Sequence, residues 1–209
     1  MFYVLSLFFL NFQLNQYKHN HNHHKNVATD KDPASATYGQ SIWSFWVRTI
    51  PGQFLSSVRV HNRKGRTGFR NPSWRGLALQ SLCIAILIFL HYAGIDWAGP
   101  VLIGWLIASG IAILTLEYVN YIRHWGLRRE NGGRFEEGHA WNTEARWSRW
   151  SLLELTRHSD HHLHASVPFW KLRPYPEAPK LPSGYYACWW PCLLPPLWRK
   201  MMRGRAPNI

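Results

Sequence analysis

Two apolar runs dominate the chain. No residue is charged from Leu77 to Ile95, and none from Trp97 to Leu116. A helix needs roughly 20 apolar residues to cross hydrocarbon, so each run is long enough to span. Only "GIDWAG" (Gly94 to Gly99) separates them, which predicts a transmembrane helical hairpin over about 77–118. Gln80 and His91 are the polar exceptions. A buried hairpin in a soluble protein is the alternative, and two adjacent uncharged runs of this length argue against it. Residues 1–14 are also apolar but short for a span. They lack the basic start and small-residue cleavage site of a signal peptide and read as the last turns of a membrane helix that begins before residue 1. Residues 15–37 are polar, and "TDKDPASA" (Thr29 to Ala36) reads as a loop with helix-start chemistry. Residues 38–60 are aromatic and broken by Pro51 and Gly52, which predicts interfacial helices. Beyond the hairpin, 130–145 is a polar loop and 146–163 is expected to be helical, with Trp147, Trp150, Leu153 and Leu155 as apolar faces. The Pro-rich 168–184 is expected to be irregular, and Tyr185 to Trp198 to dock at the interface. The pattern as a whole predicts an all-α integral membrane helix bundle, a single domain over 1–209, truncated at its N-terminus.

Charge adds orientation. Lys and Arg outnumber Asp and Glu by 24 to 11, a net charge of +13. Such a balance often marks nucleic-acid binding, but no basic helix or base-stacking signature is present. Arg59, Arg63, Lys64, Arg66, Arg70 and Arg75 precede the hairpin; Arg123, Arg128, Arg129 and Arg134 follow it; its turn has no Lys or Arg. The positive-inside rule therefore places both hairpin ends in the cytoplasm. Cys83, Cys188 and Cys192 form neither a disulfide framework nor a paired thiolate motif.

The candidate chemistry lies in the histidines, of which there are 12. In "RHSDHH", His158, His161 and His162 stand at i, i+3 and i+4, one face of a helix. In "KHNHNHH", His19, His23 and His24 stand at i, i+4 and i+5; taken alone this tract also reads as a solvated, adventitious metal binder. His124 follows the second apolar run. Neutral imidazoles are the commonest side-chain metal ligands, and there are too many for one tetrahedral zinc. Iron, zinc, copper and nickel all suit such a set. Asp160 lies among the imidazoles as a possible acceptor for a ring N–H. Glu117, two helical turns before His124, and Asn120, one turn before it, are further candidates.

The segments "NYIRHWGLRR", "LTRHSDHH", "HNHNHHKNVATDKDPASA" and "LPSGYYACWWPCLLPPLWRKMM" resemble the integral-membrane alkane 1-monooxygenases and xylene monooxygenases, which belong to the fatty-acid-desaturase-like membrane non-haem di-iron enzymes. The resemblance implies two iron ions held by His19, His23, His24, His124, His158, His161 and His162. It implies O2 as co-substrate, a terminal methyl group of an alkane or alkyl-aromatic hydrocarbon as the site of hydroxylation, and electrons from rubredoxin or a ferredoxin-type donor with its reductase. It places the protein in a bacterial inner membrane, surrounded by lipid, with the histidines on the cytoplasmic side. A lipid desaturase or hydroxylase of the same superfamily, an inactive fragment and a zinc-binding membrane protein are the competing readings. The family's first histidine box is absent from the chain. Lys18 and Arg123 stand where the family carries Glu, and Asn22 where it carries Gly.

Overall fold

The computed structural model describes residues 23–205; the readings of residues 1–14 and of His19 lie outside the described residues. Every regular element among these is helical: α1 (Ile42–Arg63), α2 (Pro72–Tyr92), α3 (Ala98–His124), α4 (Arg146–Ser151), α5 (His158–Leu163), α6 (Tyr185–Leu193) and α7 (Pro195–Met202). A one-turn helix, His24–Asn26, precedes them. Among the described residues there is no strand, only an isolated bridge between Asn142 and Lys180. Contacts divide the chain into two compact units: Pro51–Thr115, and His23–Ile50 with the chain from Leu116 onward.

The first unit is built around the hairpin. Asn71 caps α2: its side chain accepts from the Ser73 N–H at 2.9 Å, and Pro72, which has no N–H to satisfy, takes the first helical position. At the other end Gly94 adopts φ +83°, the Gly94 N–H bonds the His91 carbonyl, and the Ile95 N–H bonds that of Leu90. These bonds form a Schellman stop, which turns the chain at once into α3. A Cβ at Gly99 would meet the His91 ring at 2.8 Å, so glycine there permits the close approach of the two helices. Phe89 is 70% exposed, Ile103 60% and Ile111 62%. A helix from a soluble core buries such residues, so this uncovered apolar surface marks a membrane helix bundle.

In the second unit, aromatic side chains fill the core and spend their polar tips on backbone carbonyls. Tyr121 Oη and Trp125 Nε1 both donate to the Gln40 carbonyl, at 2.7 and 3.0 Å, and Trp141 Nε1 donates to that of Trp125 at 2.8 Å. Trp198 and Met202 of α7 are fully buried beside them.

Two expectations change. From Ile42 the 38–60 region is one helix and does not break at Pro51: α1 runs through it. The ring sits exposed and removes one helical hydrogen bond, which the rest of a 22-residue helix tolerates. The expected helix over 146–163 is two, α4 and α5, because Leu153 and Glu154 take left-handed φ of +50° and +59°. Arg149 holds that turn, donating to both Glu154 carboxylate oxygens at 2.7 and 3.0 Å.

Candidate metal centre

Three separate segments supply the imidazoles. The first, α3, ends on His124, which is completely buried. The second is α5, whose first turn is pinned from outside. Asn142 Oδ1 accepts from the Ser159 N–H at 3.1 Å, and Asn142 Nδ2 donates to Ser159 Oγ at 2.7 Å. Asn142 is itself fixed by backbone bonds to Pro179 and Leu181, both 2.9 Å. The free N–H groups of a helix start are thus partly satisfied and the helix cannot rotate about its axis, so His158, His161 and His162 face one way. The third segment is the loop beginning at His23 and His24. Asp32 shapes it: Oδ2 accepts from His23 Nδ1 at 2.8 Å and from Ser35 Oγ at 2.7 Å, and Oδ1 accepts from the Ala34 N–H at 3.2 Å.

The three segments bring His23, His124, His158 and His162 together, with one ligand atom of each within 4.8 Å of the others. His158 Nε2 lies 3.1 Å from His124 Nε2 and 3.0 Å from His162 Nε2. An imidazole nitrogen has a single in-plane site, holding either a proton or a lone pair. His158 Nε2 therefore makes at most one of these contacts as a hydrogen bond, and the other sets like against like. A cation placed among the three nitrogens accepts all their lone pairs. The far sides of two of the rings agree with this. His23 Nδ1 faces the Asp32 carboxylate, and His124 Nδ1 faces the His139 carbonyl at 3.4 Å. Each is the N–H side of its ring, which leaves Nε2 as the lone-pair side, the usual arrangement behind a metal-bound histidine. His24 and His161 stand beside this group: their rings are 4.9 Å apart, and His24 is 4.5 Å from His162.

Burial keeps the His24, His158, His161 and His162 rings neutral. Burial, with Arg123 next, holds His158 well below the usual imidazole range; burial, with His23 next, does the same for His162. Burial lowers His24 to about 4, with His23 adding to it, and His161 to about 3, with His24 adding to it. Burial works to raise the Asp32 carboxyl, but His23 and Ser35 more than offset it, and Asp32 is an anion. Imidazoles backed by one carboxylate form a nitrogen-rich site suited to iron, zinc, copper or nickel. Cys188, pushed up to about 11 by burial, is a neutral thiol outside this chemistry.

The acceptors anticipated from sequence lie as follows. Glu117 Oε2 accepts from Thr49 Oγ1 at 3.1 Å and from Asn120 Nδ2 at 3.2 Å. Asp160 accepts from His164 Nδ1 at 2.8 Å and the Arg173 N–H at 2.7 Å, tying the end of α5 to the following loop. The sequence reading missed Asp32 and the His139 carbonyl. The first had a readable signal, since an Asp before Pro-Ala-Ser is a side chain that turns its own loop; a backbone acceptor has none.

Residues 1–191 match the family described as fatty acid desaturase. The chain is 36% identical to alkane 1-monooxygenase of Acinetobacter baylyi over 195 residues, covering 90% of this chain and 47% of the relative. Identity is also 36% to alkane 1-monooxygenase 2 of Pseudomonas aeruginosa, covering 88% of this chain and 50% of the relative. To XylM, the xylene/toluene monooxygenase hydroxylase component of Pseudomonas putida, it is 32%, covering 86% and 48%. The chain thus spans about half the length of the curated relatives it matches. With a match over nearly its whole length and imidazoles converging from three segments, the chain belongs to the fatty acid desaturase family.

Proposed function

We propose that the chain carries iron-binding histidines of an integral-membrane monooxygenase that hydroxylates the terminal methyl of an alkane or alkyl-aromatic hydrocarbon with O2. The observation that carries this reading is the convergence of His124, His158 and His162 through Nε2 at 3.0–3.1 Å, with His23 in the same group. These four would hold one ion. His24 and His161, with His19 from outside the described residues, would serve a second. A C–H bond offers no polar handle, so bound iron supplies the activation of dioxygen that such a substrate demands.

The protein's own residues supply the frame. His23 and His124 orient toward the ion through Asp32 and the His139 carbonyl, and Asn142 sets the rotation of α5. Phe135, whose ring lies 5.0 Å from that of His162, helps exclude water. The arginines flanking both ends of the hairpin support a cytoplasmic location for the imidazoles, in a bacterial inner membrane. Electrons would come from rubredoxin or a ferredoxin-type donor with its reductase.

The test is metal content and product analysis on the detergent-purified chain and a His158→Ala/His162→Ala variant. About two irons per chain, lost in the variant, together with alcohol formed from alkane or alkyl-aromatic, is the expected result. Alkene in place of alcohol would identify a desaturase. Zinc in place of iron, or full iron in the variant, would overturn the assignment.

A further inference from the structure

The one-turn helix His24–Asn26 and the loop after it must present His23 and His24 at the centre. Their backbone is held by a residue about a hundred positions away. Arg129 Nη2 donates to the Lys25 carbonyl at 2.8 Å, Arg129 Nε to the Val27 carbonyl at 2.7 Å, and Arg129 Nη1 to the Gly133 carbonyl. Its own N–H donates to the Ala28 carbonyl at 2.9 Å, and the Gly126 N–H to that of Ala36 at 3.1 Å. The guanidinium therefore satisfies carbonyls at the C-terminal end of the turn, where a helix leaves acceptors unpaired. Ala28 sits between these bonds at φ +59°, a conformation costly for a residue with a Cβ. Its N–H donates to Ser35 Oγ at 2.8 Å, and Ser35 in turn donates to Asp32, the acceptor for His23. One continuous chain of bonds runs from Arg129 through the loop to His23.

From this geometry we infer that Arg129 is a positioning residue for the His23–His24 ligand pair, closing the loop onto the segment that leaves α3 just after His124. The inference rests on the metal-site reading above. A planar fork reaching three carbonyls at once is what guanidinium provides and ammonium does not, so lysine should not substitute.

The experiment uses the full chain in detergent, with wild type and the variants Arg129→Lys, Arg129→Gln, Arg129→Ala and His23→Ala. Two readouts are taken: amide hydrogen exchange without metal, and Co(II) affinity with its ligand-field spectrum, measured against a competing chelator. The expected result is faster exchange confined to Val27–Ala36 in the Lys and Gln variants, by about tenfold or more, with His158–Leu163 unchanged. Co(II) affinity falls about tenfold, the spectrum shifts as in His23→Ala, and combining Arg129→Gln with His23→Ala adds little further loss. Millimolar guanidinium partly restores Arg129→Ala. Wild-type behaviour of Arg129→Lys, or exchange that rises equally in α5, would overturn the inference. Failure of the wild type to bind Co(II) would refute the metal reading instead, and the exchange data alone would then decide whether Arg129 orders the loop.

Discussion

His23 and Asp32 divide one task between them: the ring offers Nε2 to the cluster while the carboxylate fixes Nδ1 from behind at 2.8 Å. Removing such a partner typically lowers metal affinity about 10–100-fold. Asp32→Ala should do so with the fold intact, read by chelator competition, and Asp32→Asn, which keeps an uncharged acceptor, should fall between. Arg123 works in the opposite sense. It is buried beside His124, and its Nε donates to Tyr185 Oη at 3.0 Å; among the described residues no carboxylate stands within ion-pair distance of it. A fixed cation near a metal-binding cluster opposes the metal, on the order of 1 kcal/mol at several ångströms. Arg123→Gln should therefore raise metal affinity by about tenfold, and unchanged or weaker binding would show that its charge is screened or its packing matters more. At this scale the sequence pointed to imidazoles because His158, His161 and His162 share one helical face. It did not point to Asp32, whose partner is nine residues away in a loop, so no helical spacing links the two.

The turn between α4 and α5 delivers the histidine-bearing helix, and charges hold it. Arg149 forks onto Glu154, and Arg157, one residue before His158, forks onto Glu144 at 3.0 and 2.8 Å while donating to the Leu172 carbonyl at 2.7 Å. The hydrogen bond from Arg149 holds the Glu154 carboxyl below its ordinary value of 4.5. A carboxyl with a lowered folded-state pKa contributes stability above its unfolded value and loses it as pH falls through the folded value. Glu154→Gln should therefore melt below wild type at pH 7, and the gap should close as pH drops below about 4.5, as seen by thermal unfolding in detergent across pH; a gap that persists in acid would place the effect in packing. This split was not legible in the sequence, since neither Leu153 nor Glu154 is the Gly or Asn that announces a left-handed turn. Nor was the passage of α1 through Pro51, which depends on where the ring faces. The two long apolar helices were legible, because two uncharged runs with a Gly-bearing break leave the chain few alternatives, but their outer ends, at Pro72 and His124, reach beyond the expected 77–118 into polar sequence. Among the tryptophans, Trp141 and Trp198 are core, while Trp147 and Trp190 are 75% and 70% exposed.

For the molecule as a whole, metal binding and stability should be coupled, and unevenly. Every described imidazole of the cluster belongs to the unit formed by His23–Ile50 and the chain from Leu116 onward; none belongs to Pro51–Thr115. Without metal, that unit must pack neutral rings with Nε2 atoms 3.0–3.1 Å apart, an arrangement hydrogen bonds satisfy only in part. A metal that binds the folded state alone stabilises it by about 2.7 kcal/mol at a concentration a hundred times its dissociation constant. For a chain of 209 residues that corresponds to a rise in Tm of roughly 5–10 °C. Adding Co(II) or Fe(II) to metal-stripped protein should produce this rise, chelator should reverse it, and His158→Ala should abolish it. Since ligands must be deprotonated, protons compete with the metal and the rise should shrink as pH falls. Hydrogen exchange resolves where the effect lies: protection should increase through His158–Leu163 and the His23–Ala36 loop and stay constant in α2. A stabilisation spread equally over α2 would mean that metal acts on the hairpin as well, and one absent from both would mean that the imidazoles are packed for a purpose other than binding metal.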